Sequence, residues 1–358
     1  MERRKLRELG IEIGQLPTGK KNCITDVEGV LVGHVTLIED LEDGETVRTG
    51  VTAILPHGRN LFREKVIAAS YIINGFGKTT GLVQLDELGQ IESPIMLTNT
   101  FGVPATTQGT LQYMLEQNPE IGDTTGTINI VVGECNDSYL NSIRLFPIKP
   151  KHAIEAIEKA NENQAEEGAV GAGTGMVCFG YKGGIGSSSR TVQDRAGNFT
   201  VGCLVLSNFG KREEFRYWQY DDSKTEPKYL TDGSIMIVLA TDAPLSDRQL
   251  KRIAKRATIG LGRSGSHVSH GSGDVVIAFS TATTIDHFTE HVSGIKQEFR
   301  EDTLAFNQLF QAVAEVTEEA ILNSLTMSKT TTGRNGRIVV ELPYNFISAM
   351  RGESCESK

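Results

Sequence analysis

The sequence predicts an α+β fold in which helices cover β-sheets. Three observations carry this. Strand-like segments occur in groups and do not alternate strictly with helices, which argues against a doubly wound parallel sheet. The 358 residues are 39% hydrophobic and 23% charged, enough apolar material for a sizeable globular core. The 38 glycines punctuate the apolar runs and mark many tight turns. The length exceeds that of an average domain, yet a single large domain spanning 1–358 accommodates it.

Taken in order, 30–38 and 51–55 read as short strands. Val66, Ala69, Ile72 and Ile73 follow a helical spacing that Gly75 and Gly77 end. Pro104 opens a helix running through Leu111, Met114 and Leu115, and 127–132 is a buried strand. The charged stretch 151–167, with Ile154, Ile157 and Ala160 on one face, reads as a surface helix. Three glycine-punctuated strands follow at 175–181, 184–193 and 199–207. The polar stretch 210–232 reads as a long surface loop. After an apolar strand at 235–240, Ser246 caps a helix over 247–259 with Leu250, Ile253, Ala254 and Ala257 inward. A strand at 274–279, a long helix at 303–325 and a last strand at 338–342 complete the reading.

Charge and cysteines narrow the function. Lysine and arginine number 36 against 45 aspartates and glutamates, a net charge of −9, whereas a nucleic-acid binder needs a basic face. Nothing in the chain reads as a membrane span. The charged start, Met1 to Arg7, lacks the apolar core of a signal peptide, and the unpaired cysteines fit a reducing cytoplasm, the expected location. Cys23, Cys135, Cys178, Cys203 and Cys355 are odd in number and show no ligand spacing. Neither a disulfide framework nor a metal site is expected.

Several glycine-rich stretches invite a functional reading. Residues 168–175 contain neither GxGxxG opening a helix nor GxxxxGK[ST], so tight turns are the better reading than a phosphate cradle. The stretch 183–190 reads as a β-turn between paired strands, its serines facing solvent or bonded across strands. His267 and His270 lie three apart in a polar loop without a third ligand, and no GxSxG elbow accompanies them. Ser272 and Asp274 differ: alternating across Gly273 at a strand entry, they should share a face and could hold an amine. Glu134 follows a buried strand where a lone charge is costly, and Asn208 lies just past another. Spacing alone makes each a loop residue.

Most informative is Gly233-Ser234. Asp232-Gly233 is a turn former, and Ser234 opens the β-branched run that follows. Ser234 is either just the first residue of a strand, or its hydroxyl breaks the bond before it. The second course would leave a new N-terminus carrying nucleophile and base on one residue.

These stretches together resemble a known family. The matching segments are Ile24-Thr-Asp-Val-Glu-Gly-Val-Leu-Val-Gly-His34, then 168–175 with Lys182-Gly-Gly-Ile-Gly-Ser-Ser-Ser-Arg190. Asp232-Gly-Ser-Ile-Met-Ile-Val-Leu-Ala-Thr-Asp-Ala-Pro-Leu245 and His270-Gly-Ser-Gly-Asp274 with Ile277-Ala-Phe-Ser-Thr281 follow in the same order. They resemble the L-aminopeptidase/D-esterases and β-peptidyl aminopeptidases. The resemblance implies a four-layer αββα sandwich, similar in plan to N-terminal nucleophile hydrolases but with different connectivity. It implies self-cleavage into 1–233 (α chain) and 234–358 (β chain). Ser234 would then be the nucleophile, Ser272 and Asp274 would orient its amine, Asn208 would donate to the oxyanion and Glu134 would bind the substrate ammonium. The family pattern often has glutamate where Asp274 stands, so reach changes while charge is kept. No cofactor is implied. The expected substrates are small peptides, amino acid amides or esters, and the expected assembly is a homo-oligomer of αβ units. Two rival readings are an acyltransferase of the ornithine acetyltransferase type, whose nucleophile is typically threonine, and a non-catalytic binding protein of the same fold.

Overall fold

The computed structural model describes residues 2–194, 197–217, 233–294 and 297–344. In chain order the first strands are β1 (Leu31–Asp40), β2 (Thr46–Leu55), β3 (Glu64–Gly75), β4 (Gln90–Ile91), β5 (Ile95–Asn99) and β6 (Val131–Cys135). Then come β7 (Val177–Cys178), β8 (Tyr181–Lys182), β9 (Gly184–Asp194), β10 (Gly197–Asn208), β11 (Ser234–Thr241) and β12 (Gly273–Asp286). One sheet has the order β1-β2-β5-β6 and a larger one β4-β3-β12-β11-β10-β9. The pairs β5/β6 and β11/β12 are parallel, and their neighbours are antiparallel.

The side chains show why the two sheets stack. On β11, Met236, Val238 and Ala240 meet Ile54, Ile95, Leu97 and Val131 of the smaller sheet. The alternate residues Ile235, Ile237 and Leu239 face the opposite way, against Val313, Val316 and Ile321. The latter belong to a long helix, Leu304–Thr326, capped by the Thr303 side chain. On the far side of the smaller sheet, Val51, Ala53, Met96 and Val132 pack against Met114, Ala153 and Ile157 of the helices Val103–Gln117 and Pro150–Glu158. Helices thus cover both outer faces, and the order is helix, sheet, sheet, helix. A strand buried on both faces reads as an uninterrupted apolar run, which is the pattern of 235–240. Each fully buried aliphatic side chain stabilises the fold by roughly 1.5–3 kcal/mol relative to exposure.

Several expected elements differ. The stretch around Val66 to Ile73 is strand β3, not a helix. Val66 and Ala68 face the inter-sheet core while Ile67, Ala69, Tyr71 and Ile73 face the helices. With both faces apolar, the period of two is hidden and a helical spacing emerges by coincidence. The strand expected at 127–132 begins only at Val131. The helix at 151–167 stops at Glu158, and Asn161 instead bridges to Val32. The helix at 247–259 breaks into Asp247–Ala254 and Ala257–Ser264, keeping Leu250, Ile253, Ala254 and Ala257 buried as expected. The strand expected at 175–181 is the short β7/β8 pair, which turns through Phe179 and Gly180 at positive φ. The last strand is limited to Ile338–Val339.

The stretch 183–190 is not a turn but, from Gly184 on, part of the strand expected at 184–193. It lies in β9, with Ser187, Ser188 and Ser189 buried. Ser187 donates across the sheet to the Cys203 carbonyl, and Ser188 donates to the Val316 carbonyl of the long helix. Of the loop expected at 210–232, residues 212–214 form a short helical turn, and 218–232 lie outside the described residues. Cys23, Cys135, Cys178 and Cys203 are buried free thiols, while Cys355 lies outside the described residues. No described helix is long and apolar enough to cross a membrane.

Candidate active site

Four strand ends of the larger sheet meet at one edge: the ends of β3 and β10 and the starts of β11 and β12. The register sets Ser234 between Asn208 on the antiparallel side and Gly273 on the parallel side. Glycine at 233 is demanded by space, since a Cβ there would lie 1.8 Å from the Asn208 carbonyl oxygen. Gly273 is also closely held, because its Cβ would fall 2.9 Å from the Cα of Gly77. The chain leaving β3 therefore crosses the start of β12 in direct backbone contact. Ser234 is 7% exposed, and its Oγ accepts the Gly273 N–H at 3.1 Å.

Ser272 and Asp274 share a face, as their alternation requires. The Ser272 hydroxyl donates to Asp274 Oδ1 at 2.7 Å, and the Ile235 N–H donates to the same oxygen at 3.1 Å. Asp274 Oδ2 is buried with no hydrogen-bond partner among the described residues. Burial pushes the Asp274 pKa up to about 6, against the lowering effect of those two hydrogen bonds. A half-satisfied carboxylate one residue across the ladder from Ser234 is set up to receive a further donor.

Asn208 is buried where β10 ends. Its Oδ1 accepts the Val177 N–H at 2.9 Å and its Nδ2 donates to the Asn136 carbonyl at 3.0 Å. An amide nitrogen carries two donors, so one N–H is left for another acceptor. Glu134 comes from the other sheet and is not a loop residue: it lies within β6 and is buried. The Lys78 N–H donates to its Oε1 at 2.8 Å and the Thr100 hydroxyl donates to its Oε2. Glu134 Oε1 lies 3.6 Å from the Cβ position of Gly77, the glycine that touches Gly273. Glu134 thus reaches the same edge from the opposite sheet.

His267 and His270 are exposed in the preceding loop and take no part. Among the described residues, neither histidine nor lysine hydrogen-bonds to Ser234, and no three His, Cys, Asp or Glu side chains are grouped to hold a metal ion. A serine without a neighbouring base is a poor nucleophile. Its own α-nitrogen, once freed from the peptide, would be the base closest to hand.

Some contributors were not legible. Asn74, read as part of a helix end, donates from Nδ2 to the carbonyls of Ser269, His270 and Ser272 and pins the loop carrying Ser272. Its signal was the Asn-Gly pair at 74–75, a turn former, which the helical spacing obscured. Gly77 and Thr100 carry no sequence signal for their parts, which arise only when β3 and β6 come together across the two sheets.

The whole chain is similar to known proteins. A model of peptidase family S58 matches residues 22–339. The chain is 39% identical to the β-peptidyl aminopeptidase BapA of Sphingosinicella microcystinivorans over 97% of its own length and 91% of that protein's. Among solved structures, the PH0078 protein from Pyrococcus horikoshii OT3 superposes with a TM-score of 0.91 at 48% identity, covering 97% of this chain and 98% of that one. The L-aminopeptidase D-Ala-esterase/amidase from Ochrobactrum anthropi, described as a prototype for the serine aminopeptidases and a variant among the Ntn hydrolase folds, gives 0.90 at 33% identity over 98% of both chains.

Proposed function

The chain belongs to peptidase family S58, and from that premise we propose that it cuts itself between Gly233 and Ser234 and then works as a serine aminopeptidase. The observation that carries this is the pairing of Ser234, at a strand start preceded by a glycine with no room for a side chain, with a buried, half-satisfied Asp274 on the next strand.

In self-cleavage the Ser234 Oγ attacks the carbonyl carbon of Gly233. As the C–N bond breaks the Oγ proton passes to the leaving nitrogen, which frees the Ser234 α-amine and leaves an ester on Oγ; water then hydrolyses that ester to the Gly233 carboxylate and the Ser234 hydroxyl. The chain 1–358 acts throughout as one unit built from 1–233 and 234–358. An α-amine has a pKa of about 8, so a useful fraction is unprotonated near neutrality. It takes the proton from its own Oγ as that oxygen attacks the carbonyl of the substrate's first residue. The amine or alcohol leaving group takes the proton back, and water resolves the acyl-enzyme. Ser272 and the free oxygen of Asp274 hold the amine and balance its charged form. The unused N–H of Asn208 stabilises the oxyanion. Glu134, its oxygens already oriented by Lys78 N–H and Thr100, receives the substrate ammonium.

This assigns small peptides, amino acid amides and esters with a free amino end as substrates. The αβ units assemble as a homo-oligomer in the cytoplasm. The test compares an aminoacyl anilide with its N-acetylated form. The free amine is expected to be hydrolysed at least 100-fold faster. Equal rates would remove Glu134 from its role, and release by neither would contradict an aminopeptidase.

A further inference from the structure

Two fully buried charges play no part in the steps above, yet both lie directly behind Asn208. Lys182 is wholly buried, and its Nζ donates to the carbonyls of Gly173, Met176 and Gly183 at 3.0, 2.9 and 2.7 Å. Three carbonyl acceptors match the three donors of an ammonium and leave no room for the lone pair of a neutral amine. Burial pulls the Lys182 pKa down to about 7, and the charge of Asp137 opposes the fall. Asp137, also wholly buried, accepts from Asn141 Nδ2 at 3.0 Å. Its backbone carbonyl accepts the N–H groups of Leu140 and Asn141. Its Cβ lies 2.9 Å from the Cβ position of Gly175, so it also braces the turn that Lys182 ties together.

The two segments held this way supply both contacts of the Asn208 amide. Val177, whose N–H donates to Asn208 Oδ1, follows the Met176 carbonyl that Lys182 grips. Asn136, whose carbonyl accepts from Nδ2, immediately precedes Asp137. An amide anchored at its oxygen and at one hydrogen can aim its second hydrogen in one direction only. We propose that Lys182 and Asp137 are positioning residues, which fix the Asn208 amide so that its free N–H points at the developing oxyanion. Burying two titratable groups is costly, and burial moves the pKa of each to about 7. Their return is a fixed donor, where a small misalignment would be felt in the barrier.

The inference rests on the oxyanion role given to Asn208, so the experiment separates the two. Turnover is measured per mole of cleaved chain for Lys182→Met, Asp137→Asn, Asn208→Ala and the two doubles with Asn208→Ala. An aminoacyl anilide serves as substrate and an aminoacyl aldehyde as tetrahedral-adduct inhibitor. Lys182→Met is expected to lower kcat 10- to 100-fold with KM within 2-fold, and to weaken aldehyde binding by the same factor. Each double should fall within 2-fold of Asn208→Ala alone, because a positioning residue has nothing left to position. Should Lys182→Met not fold, the isosteric Asp137→Asn, with a smaller expected loss of 3- to 10-fold, supplies the same cycle. Losses that multiply in the doubles, or that appear in KM alone, overturn the proposal while leaving Asn208 in its role. Full turnover by Asn208→Ala removes that role and the proposal with it.

Discussion

Two buried polar clusters in this molecule look alike in composition and differ in how completely they are satisfied. Around Arg190, every carboxylate oxygen is doubly occupied. Glu315 Oε1 accepts the Gln15 N–H and the Gln311 amide, and its Oε2 accepts the Leu16 N–H and Arg190 Nε. Glu319 Oε1 accepts Asn22 and Arg7, and its Oε2 accepts Arg190 and Arg7. At Asp274 one oxygen takes two donors and the other takes none among the described residues. A saturated network has no capacity left for a ligand or a new terminus, so it is structure. The Asp274 carboxylate, raised in pKa and half open as that of Asp137 also is, differs in standing beside a serine, where it could take one more donor. The contrast also bears on the cut chain. Arg190 stands before residue 233 and Glu315 and Glu319 after it, so the saturated cluster, with the β10/β11 ladder, would hold the two pieces together after a cut.

The contrast can be broken at either end. Ser234→Ala removes nucleophile and future base together, so turnover should fall on the order of 10⁴-fold or more, with unchanged secondary structure by circular dichroism. Appreciable turnover by that variant would mean the chemistry lies elsewhere. Arg190→Met strands two buried carboxylates and should cost about 3–5 kcal/mol of stability in a denaturant titration. Turnover of the protein that remains folded should change less than about 3-fold, as expected of structure. A specific loss of kcat would make the saturated cluster functional as well.

Asp274→Asn gives the smallest and most discriminating effect. Both donors to Oδ1 keep an acceptor, so the fold is retained while the charge that would hold the Ser234 amine is lost. Because the folded pKa of about 6 lies above the ordinary 3.8, the native state takes up a proton before the unfolded chain does as pH falls. The uncut chain therefore loses stability as pH rises from about 4 to about 6 and stays at the lower level above that. Asparagine never ionises, so at pH 7, with both proteins kept whole by Ser234→Ala, the asparagine variant should be the more stable, by on the order of 2 kcal/mol. Turnover per mole of cleaved chain of Asp274→Asn alone should be at least 10-fold slower than that of wild type. An asparagine variant less stable than its Ser234→Ala parent at pH 7 would show that Asp274 is already satisfied in the uncut chain.

The sequence was most legible where local chemistry decides the outcome. The helix capped at Ser246, the long helix at 303–325, the two-faced strand at 235–240 and the shared face of Ser272 and Asp274 all follow from spacing and turn residues. It was least legible where a second layer decides. Strand β3 hides its alternation because both faces are buried, and Glu134 reads as a loop residue until the other sheet is brought over it. The serines of β9 read as solvent-facing or bonded across strands; Ser187 is bonded across the sheet, but their burial was hidden because the helix that covers them lies more than a hundred residues further along the chain. Lys182 and Asp137 carry no motif for positioning, since their common target is defined only by the fold.

The most direct measurement is the intact mass of freshly purified wild-type protein under denaturing conditions, with Ser234→Ala beside it. Two masses for wild type, one chain ending at Gly233 and one beginning at Ser234, together with a single full-length mass for the variant, are the predicted result. A wild-type chain that stays whole after long incubation yet hydrolyses aminoacyl anilides would contradict the N-terminal serine as nucleophile.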